Sequence, residues 1–167
     1  MKKLMLATVL SSLAILTACQ NISAHSQSTK ATWEQKMTAQ SQTERNKANA
    51  LAFYEMAFNQ HKVKEATAKY VGDVYLQHNP TVADGGQAFI DAFEPFLKEH
   101  PKSRAKVHRV IAEGDLVVLH VHSQLDENDI GESVVDIFRF DENGKIVEHW
   151  DTIQAVPEKT VSGRSMF

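Results

Sequence analysis

The chain has 167 residues, 43% apolar and 23% charged, with eight His, seven Gly, four Pro and a single Cys. That is the size of one ordinary globular domain, and the composition excludes a disordered chain, a collagen-like repeat and a disulfide scaffold. A formal charge of −3 with 18 Lys and Arg leaves no basic footprint, so nucleic acid is not an expected partner.

The chain opens with Lys2 and Lys3, then an apolar run from Leu4 to Leu16 broken by Thr8, Ser11 and Ser12. That run is too short to span a bilayer comfortably and fits the apolar region of a signal peptide. Leu16-Thr17-Ala18-Cys19 resembles the lipobox of bacterial lipoproteins. The resemblance implies residues 1–18 as a signal peptide, cleavage before Cys19 and lipidation of Cys19. Each acyl methylene contributes about 0.8 kcal/mol of membrane affinity, so several chains hold a domain on a membrane. The implied location is the cell envelope, facing the periplasm or the exterior. Gln20 in place of Asp leans toward the outer membrane. A lipidated Cys19 also removes the only thiol from catalysis.

Residues 19–43 are rich in Ser, Thr, Gln and Asn and read as a lipidated Cys followed by a flexible tether. Trp33 and Met37, spaced i, i+4, form at most one docking turn. The domain is expected over residues 44–167. From Arg45 to His61, apolar residues recur at three and four, which predicts an amphipathic helix. Lys62 to Tyr70 predicts a second, short helix. Asp73 to Pro80 alternates as a strand that Pro80 stops. Asp84-Gly85-Gly86 is a turn. Gln87 to His100 carries Phe89, Ile90, Phe93, Phe96 and Leu97 at helical spacing, with a kink or early break expected at Pro95. After Pro101 the period changes to two. Strands are expected at 103–113, 116–125, 133–140 and 145–154, the first two joined by a Gly114-Asp115 hairpin turn. Helices first and an antiparallel meander last make an α+β layout.

Alternation sorts the polar residues into faces. Val74, Leu76 and His78 share one face of the first strand. Leu116, Val118, His120 and His122 share another on the second hairpin strand. Val134, Asp136, Phe138 and Phe140 form an apolar face that contains a carboxylate. A buried carboxylate needs a partner or its pKa rises, and a raised pKa suits a general acid or base near neutral pH. The last strand sets Val147, His149, Asp151 and Ile153 against Ile146, Glu148, Trp150 and Thr152. Either face is open to a cavity, and a bulge would let both Trp150 and Asp151 approach it. The bland readings stand beside these: Asp136 paired with Arg139 or a His for structure, His78 capping a turn, His149 and Asp151 as an exposed pair. His120 and His122 point the same way, but no third ligand stands at a diagnostic spacing, so no metal is expected. No nucleophile elbow, phosphate loop, dinucleotide fingerprint or HExxH motif is present.

Taken in order, YLQHNP (75–80), ADGGQAFI (83–90), AEGDLVVLHVH (112–122), VDIFRF (135–140) and GKIVEHWDTIQAVP (144–157) resemble the SnoaL-like polyketide cyclase group of the nuclear transport factor 2-like superfamily. The resemblance spans roughly residues 45–157, and the closing SMF (165–167) is similar too. It implies a cone-shaped α+β barrel, in which a strongly curved antiparallel sheet wraps N-terminal helices around a deep pocket. It also implies acid/base catalysis of enolisation without metal or organic cofactor, and a homodimer through the outer sheet face. Matched to this chain, the catalytic candidates are Asp151, Asp136, His78 and His120. Trp150, His122, His149 and Phe138 are the substrate-binding candidates.

Two functions follow. One is an enzyme that moves a proton on a small apolar carbonyl compound by enolisation, aldol-type cyclisation or isomerisation. The other is a non-catalytic envelope lipoprotein that holds a small hydrophobic ligand or a protein. An Asp and a His together in the pocket favour the first; both carboxylates in solvent favour the second.

Overall fold

The computed structural model describes residues 12–167, with side chains described at 29, 30 and from 32 onward. Residues 1–11 of the expected signal peptide and the side chain of Cys19 lie outside the described residues. Residues Gln40–Phe167 form one compact unit; Met1–Ala39 form another, whose described part is helical. No helix among the described residues is long and apolar enough to cross a membrane.

Helix α1 covers Ser12–Tyr54, so the stretch read as a tether is helical. Ala50, Phe53, Tyr54 and Ala57, spaced by three, one and three, are buried. At Glu55–Asn59 the helix widens into a π turn, a device that changes which side chains share a face. Helix α2 (Val63–Tyr70) leads directly into β1 (Val71–Gln77). Helix α3 (Gly86–Glu99) runs on through Pro95 instead of breaking there. Its apolar face, with Phe89 and Leu97 buried, supplies the tertiary packing that outweighs the one hydrogen bond a proline removes.

The remaining strands are β2 (Arg104–Glu113), β3 (Leu116–Gln124), β4 (Glu132–Phe140) and β5 (Ile146–Ala155). Five strands among the described residues form one open sheet in the order β1-β5-β4-β3-β2. The meander β2 to β5 is antiparallel, and β1 joins β5 in parallel. The fold is α+β, with helices against one face of the sheet and the core between them. Strict alternation on β3 puts Val117, Leu119 and Val121 wholly inside. Phe53 sits at the centre of an aromatic cluster, with Tyr70, Phe89, Phe138 and Phe58 around it at ring separations of 5.5–6.4 Å.

Irregularities in the register decide which side chains face inward, one of them in β1 between Val71 and Leu76. Register also slips between Arg139 and Phe140 on β4, which face Glu148 and Ile146 on β5. Ile146 and His149 are therefore both buried although an odd interval separates them. A third slip, between Val107 and Arg109 of β2, makes His108 the extra residue. At Gly131, φ is +80° and an added Cβ would collide with the Ser123 carbonyl, so only glycine fits the entry to β4.

Candidate functional site

A cavity of about 260 Å³ lies between the helices and the inner face of the sheet. Its apolar wall includes Phe53, Phe58, Phe89, Phe93 and Phe96. Tyr54, Tyr75, Gln77, Asn79, Asp136, His149 and Asp151 make the polar side. Arg104 and Glu132 also line it.

Strand register builds the polar side. Asp136 of β4 stands directly opposite Asp151 of β5, Phe138 stands opposite His149, and Gln77 of β1 pairs with His149. One ligand atom from each of Asp136, His149 and Asp151 lies within 4.8 Å of the others. Asp136 is only 5% exposed and His149 only 7%. His149 Nε2 lies 3.0 Å from Asp136 Oδ1, and the Tyr54 hydroxyl donates to Asp136 Oδ2 at 2.9 Å. Both carboxylate oxygens are thus engaged, which is what a buried carboxylate requires.

The hydrogen-bond chain beyond His149 fixes its protonation pattern. Gln77 Oε1 accepts from the Asn79 backbone N–H at 3.0 Å, which orients the amide. The same oxygen lies 2.7 Å from His149 Nδ1, so Nδ1 carries a hydrogen and donates it. Nε2 and Asp136 Oδ1 then hold a single proton between them. Gln77 Nε2, in turn, donates to the Tyr75 hydroxyl at 3.2 Å.

Asp151 is held differently. Asn79 Oδ1 accepts from Thr81 N at 2.9 Å and from Thr81 Oγ1 at 2.7 Å. The amide nitrogen of Asn79 therefore faces Asp151, donating to Oδ2 at 2.6 Å. Asp151 is half-buried, and its other oxygen has no partner among the described residues. One carboxylate is locked in a pair; the other also lines the cavity and keeps one oxygen without a partner among the described residues.

Burial raises the Tyr54 phenol well above its ordinary value of 10.0, and the Asp136 charge beside it adds to the rise. Burial likewise raises Tyr75; the Gln77 hydrogen bond works against the rise, and the charges of Asp136 and Asp151 add to it. Both phenols stay protonated at working pH; the Tyr54 hydroxyl donates to Asp136, whereas the Tyr75 hydroxyl accepts from Gln77.

The Asp136, His149, Asp151 set has the donor types for a divalent cation. A cation there would have to take the place of the proton shared by His149 and Asp136, with Gln77 behind the imidazole as its orienting partner.

The sequence-derived candidates divide cleanly. Asp136, Asp151, His149 and Phe138 line the cavity. His78, His120, His122 and Trp150 do not. The alternation of β1 runs the other way from the expectation: Tyr75 is buried, while Val74, Leu76 and His78 are exposed. His78 donates to Glu148 Oε1 at 2.9 Å and stacks on Trp150 at 4.8 Å. Arg139 sits over the same indole and binds Glu148 and Asp115. The bulge in β5 does not bring Trp150 inward.

His120 and His122 alternate with the buried Leu119 and Val121, so they face away from the cavity. Arg109 donates to His120 Nδ1, and His120 Nε2 donates to Ser133 Oγ at 3.1 Å. His122 donates to the Ile130 carbonyl. The Phe167 ring stacks on both, and on His108. Sequence reasoning missed Tyr54, Tyr75, Gln77 and Asn79. The available signal was parity: Tyr75, Gln77 and Asn79 share the strand face opposite His78.

Residues 50–149 match the family model described as a SnoaL-like domain. The chain belongs to the SnoaL-like family. No curated protein matches it. Among solved structures, this SnoaL-like chain is similar to a candidate polyketide cyclase from Bacillus cereus ATCC 10987 (TM-score 0.57, 20% identity, 66% of this chain and 74% of that one). It is also similar to an NTF2-like protein of unknown function from Mesorhizobium loti (TM-score 0.56, 17% identity, 68% and 93%). A third is a candidate isomerase of the SnoaL-like family from Agrobacterium tumefaciens str. C58 (TM-score 0.54, 12% identity, 69% and 99%). At these identities the likeness establishes the fold.

Proposed function

We propose that the domain is a cofactor-independent acid/base catalyst that enolises a small apolar carbonyl compound, in the service of an aldol-type cyclisation or an isomerisation. The observation that carries this reading is the division of labour between two facing carboxylates. Asp136 is tied up with Tyr54 and His149, while Asp151 keeps a free oxygen at an aromatic-lined cavity. Two carboxylates whose surroundings differ this much are suited to different roles.

In the step proposed, the C–H bond beside the carbonyl breaks and its proton passes to the free oxygen of Asp151. The bonding pair becomes the enolate C=C, and the carbonyl pair moves onto oxygen. The Asp136–His149 pair, neutral overall with its one shared proton, adds no second negative charge beside the enolate. Collapse of the enolate onto a second carbonyl gives cyclisation; return of the proton to another carbon gives isomerisation. The names of the cyclase and isomerase neighbours are consistent with this chemistry.

Solvent deuterium exchange into the α-carbons of a panel of cyclic and aryl ketones, followed by NMR, tests the proposal. Wild type exchanges at least one class faster than buffer, Asp151→Asn loses about 100-fold or more of that rate, and His120→Ala retains it. Exchange equal to buffer across the panel, with the ketones nonetheless bound, would replace catalysis by ligand carriage. Exchange abolished by a chelator would replace it by metal-assisted chemistry.

The N-terminal pattern supports a further part of the proposal: attachment to the cell envelope through lipidated Cys19. Metabolic labelling with a fatty acid, lost in Cys19→Ala, is the expected result. Homodimerisation through the outer sheet face belongs to the same reading, with Ile111 and Val135 exposed on outward-facing strand positions.

A further inference from the structure

Both ring nitrogens of His149 are spoken for, Nδ1 by Gln77 and Nε2 by Asp136. The Tyr54 hydroxyl gives its hydrogen to Asp136, and the Asn79 amide gives one of its hydrogens to Asp151. An enolate oxygen in this cavity still needs a donor, because an uncompensated charge in an apolar site is costly. Tyr75 meets the requirement. It is 3% exposed, lines the cavity, and accepts from Gln77 Nε2. That amide is oriented from its far side by the Asn79 N–H, so Tyr75 is the acceptor in the pair and its own hydrogen is left over. Among the described residues no acceptor takes it. A buried hydroxyl hydrogen without an acceptor is uncommon and points to a partner that arrives with the ligand.

The cavity also limits what that ligand is. An apolar cavity of about 150 Å³ holds one benzene, and this one measures about 260 Å³, which suits one or two rings. Asp136, Asp151 and Glu132 outnumber Arg104 among its charged lining residues, so an anion is disfavoured. Resting on the acid/base reading above, we infer that Tyr75 donates its phenolic hydrogen bond to the carbonyl oxygen of an uncharged ketone of one or two rings, and so forms the oxyanion subsite of this cavity.

The test uses the full chain and acetophenone labelled with ¹³C at the carbonyl, read by the carbonyl stretching frequency of the bound probe. In wild type the stretch moves to lower frequency on binding. Tyr75→Phe, which keeps the buried ring, abolishes that shift and weakens binding about tenfold. 3-Fluorotyrosine placed at position 75 has a more acidic hydroxyl and enlarges the shift; it also guards against a Phe variant that does not fold. Asp151→Asn keeps the shift while losing deuterium exchange. A shift unchanged in Tyr75→Phe, a shift insensitive to 3-fluorotyrosine, or no binding by wild type overturns the inference. Exchange undiminished in Tyr75→Phe overturns it too and leaves the acid/base reading standing. A Tyr75-dependent shift without any exchange in wild type supports the subsite and removes the catalysis.

Discussion

Gln77 joins three elements of the site through one amide, which makes Gln77→Met the most informative perturbation. Methionine keeps the length and bulk of the side chain but offers neither the acceptor nor the donor. Three hydrogen bonds go: His149 Nδ1 to Oε1 at 2.7 Å, Asn79 N to Oε1 at 3.0 Å, and Nε2 to Tyr75 at 3.2 Å. The imidazole N–H is left in a nearly sealed position, which costs about 1–3 kcal/mol. The other two bonds contribute about 1 kcal/mol each, partly recovered where water enters. The expected destabilisation is about 3 kcal/mol, or roughly 10 °C in Tm for a unit of this size. Urea unfolding gives the free energy, with an unchanged m-value showing that the loss is not a change in compactness. Imidazole ¹⁵N spectra give the second readout, because without Gln77 the ring is no longer restricted to the Nδ1–H form. A loss below about 1 kcal/mol, with the ¹⁵N pattern of His149 unchanged, would refute the argument that Gln77 sets the state of the Asp136 pair.

Two predictions concern packing and pH. Phe53 is 1% exposed and touches four aromatic rings, so Phe53→Ala costs about 3–5 kcal/mol in urea unfolding and enlarges the cavity on its apolar side. Burial, helped by the positive charge of Lys106, holds the His108 imidazole below its ordinary value of 6.5. His120, His122 and Arg109 push it the same way. The unfolded chain therefore binds more protons than the folded one just below that pH, and stability falls as pH drops from 6.5 through the lowered value. His108→Gln flattens that part of the profile, measured as urea midpoints at pH 7.5 and 5; an unchanged slope would place the acid sensitivity elsewhere.

From about residue 44 onward the sequence by itself determined the elements and their order, whereas the stretch read as a tether is helical. Helical spacing around Phe53 and along Phe89 to Leu97, and period two from Arg104 to Gln154, are local patterns written in neighbouring residues. The four strands of the meander fall within a residue of the bounds expected, while β1 begins two residues before Asp73 and ends three before Pro80. Asp136 was legible for the same reason: a carboxylate between Val134 and Phe138 on a period-two face stands out without any tertiary knowledge.

Which face turns inward was a different matter. Val74 and Leu76 look like core, yet they are exposed and Tyr75 is buried. That choice is made by α3 and by the parallel pairing of β1 with β5, neither of which leaves a mark inside the sequence of β1 itself. The same limit explains His120 and His122: alternation puts them on one side, but only the packing of Val117, Leu119 and Val121 against the helices decides that this side is the outer one. The site proper is made from residues far apart in sequence. Tyr54, Gln77, Asp136 and His149 meet because register places Gln77 and Phe138 on either side of His149 and a bulge returns His149 to the interior. Periodicity is a property of neighbours along the chain, whereas a hydrogen-bonded pair across three elements is a property of closure, and closure belongs to the tertiary structure alone.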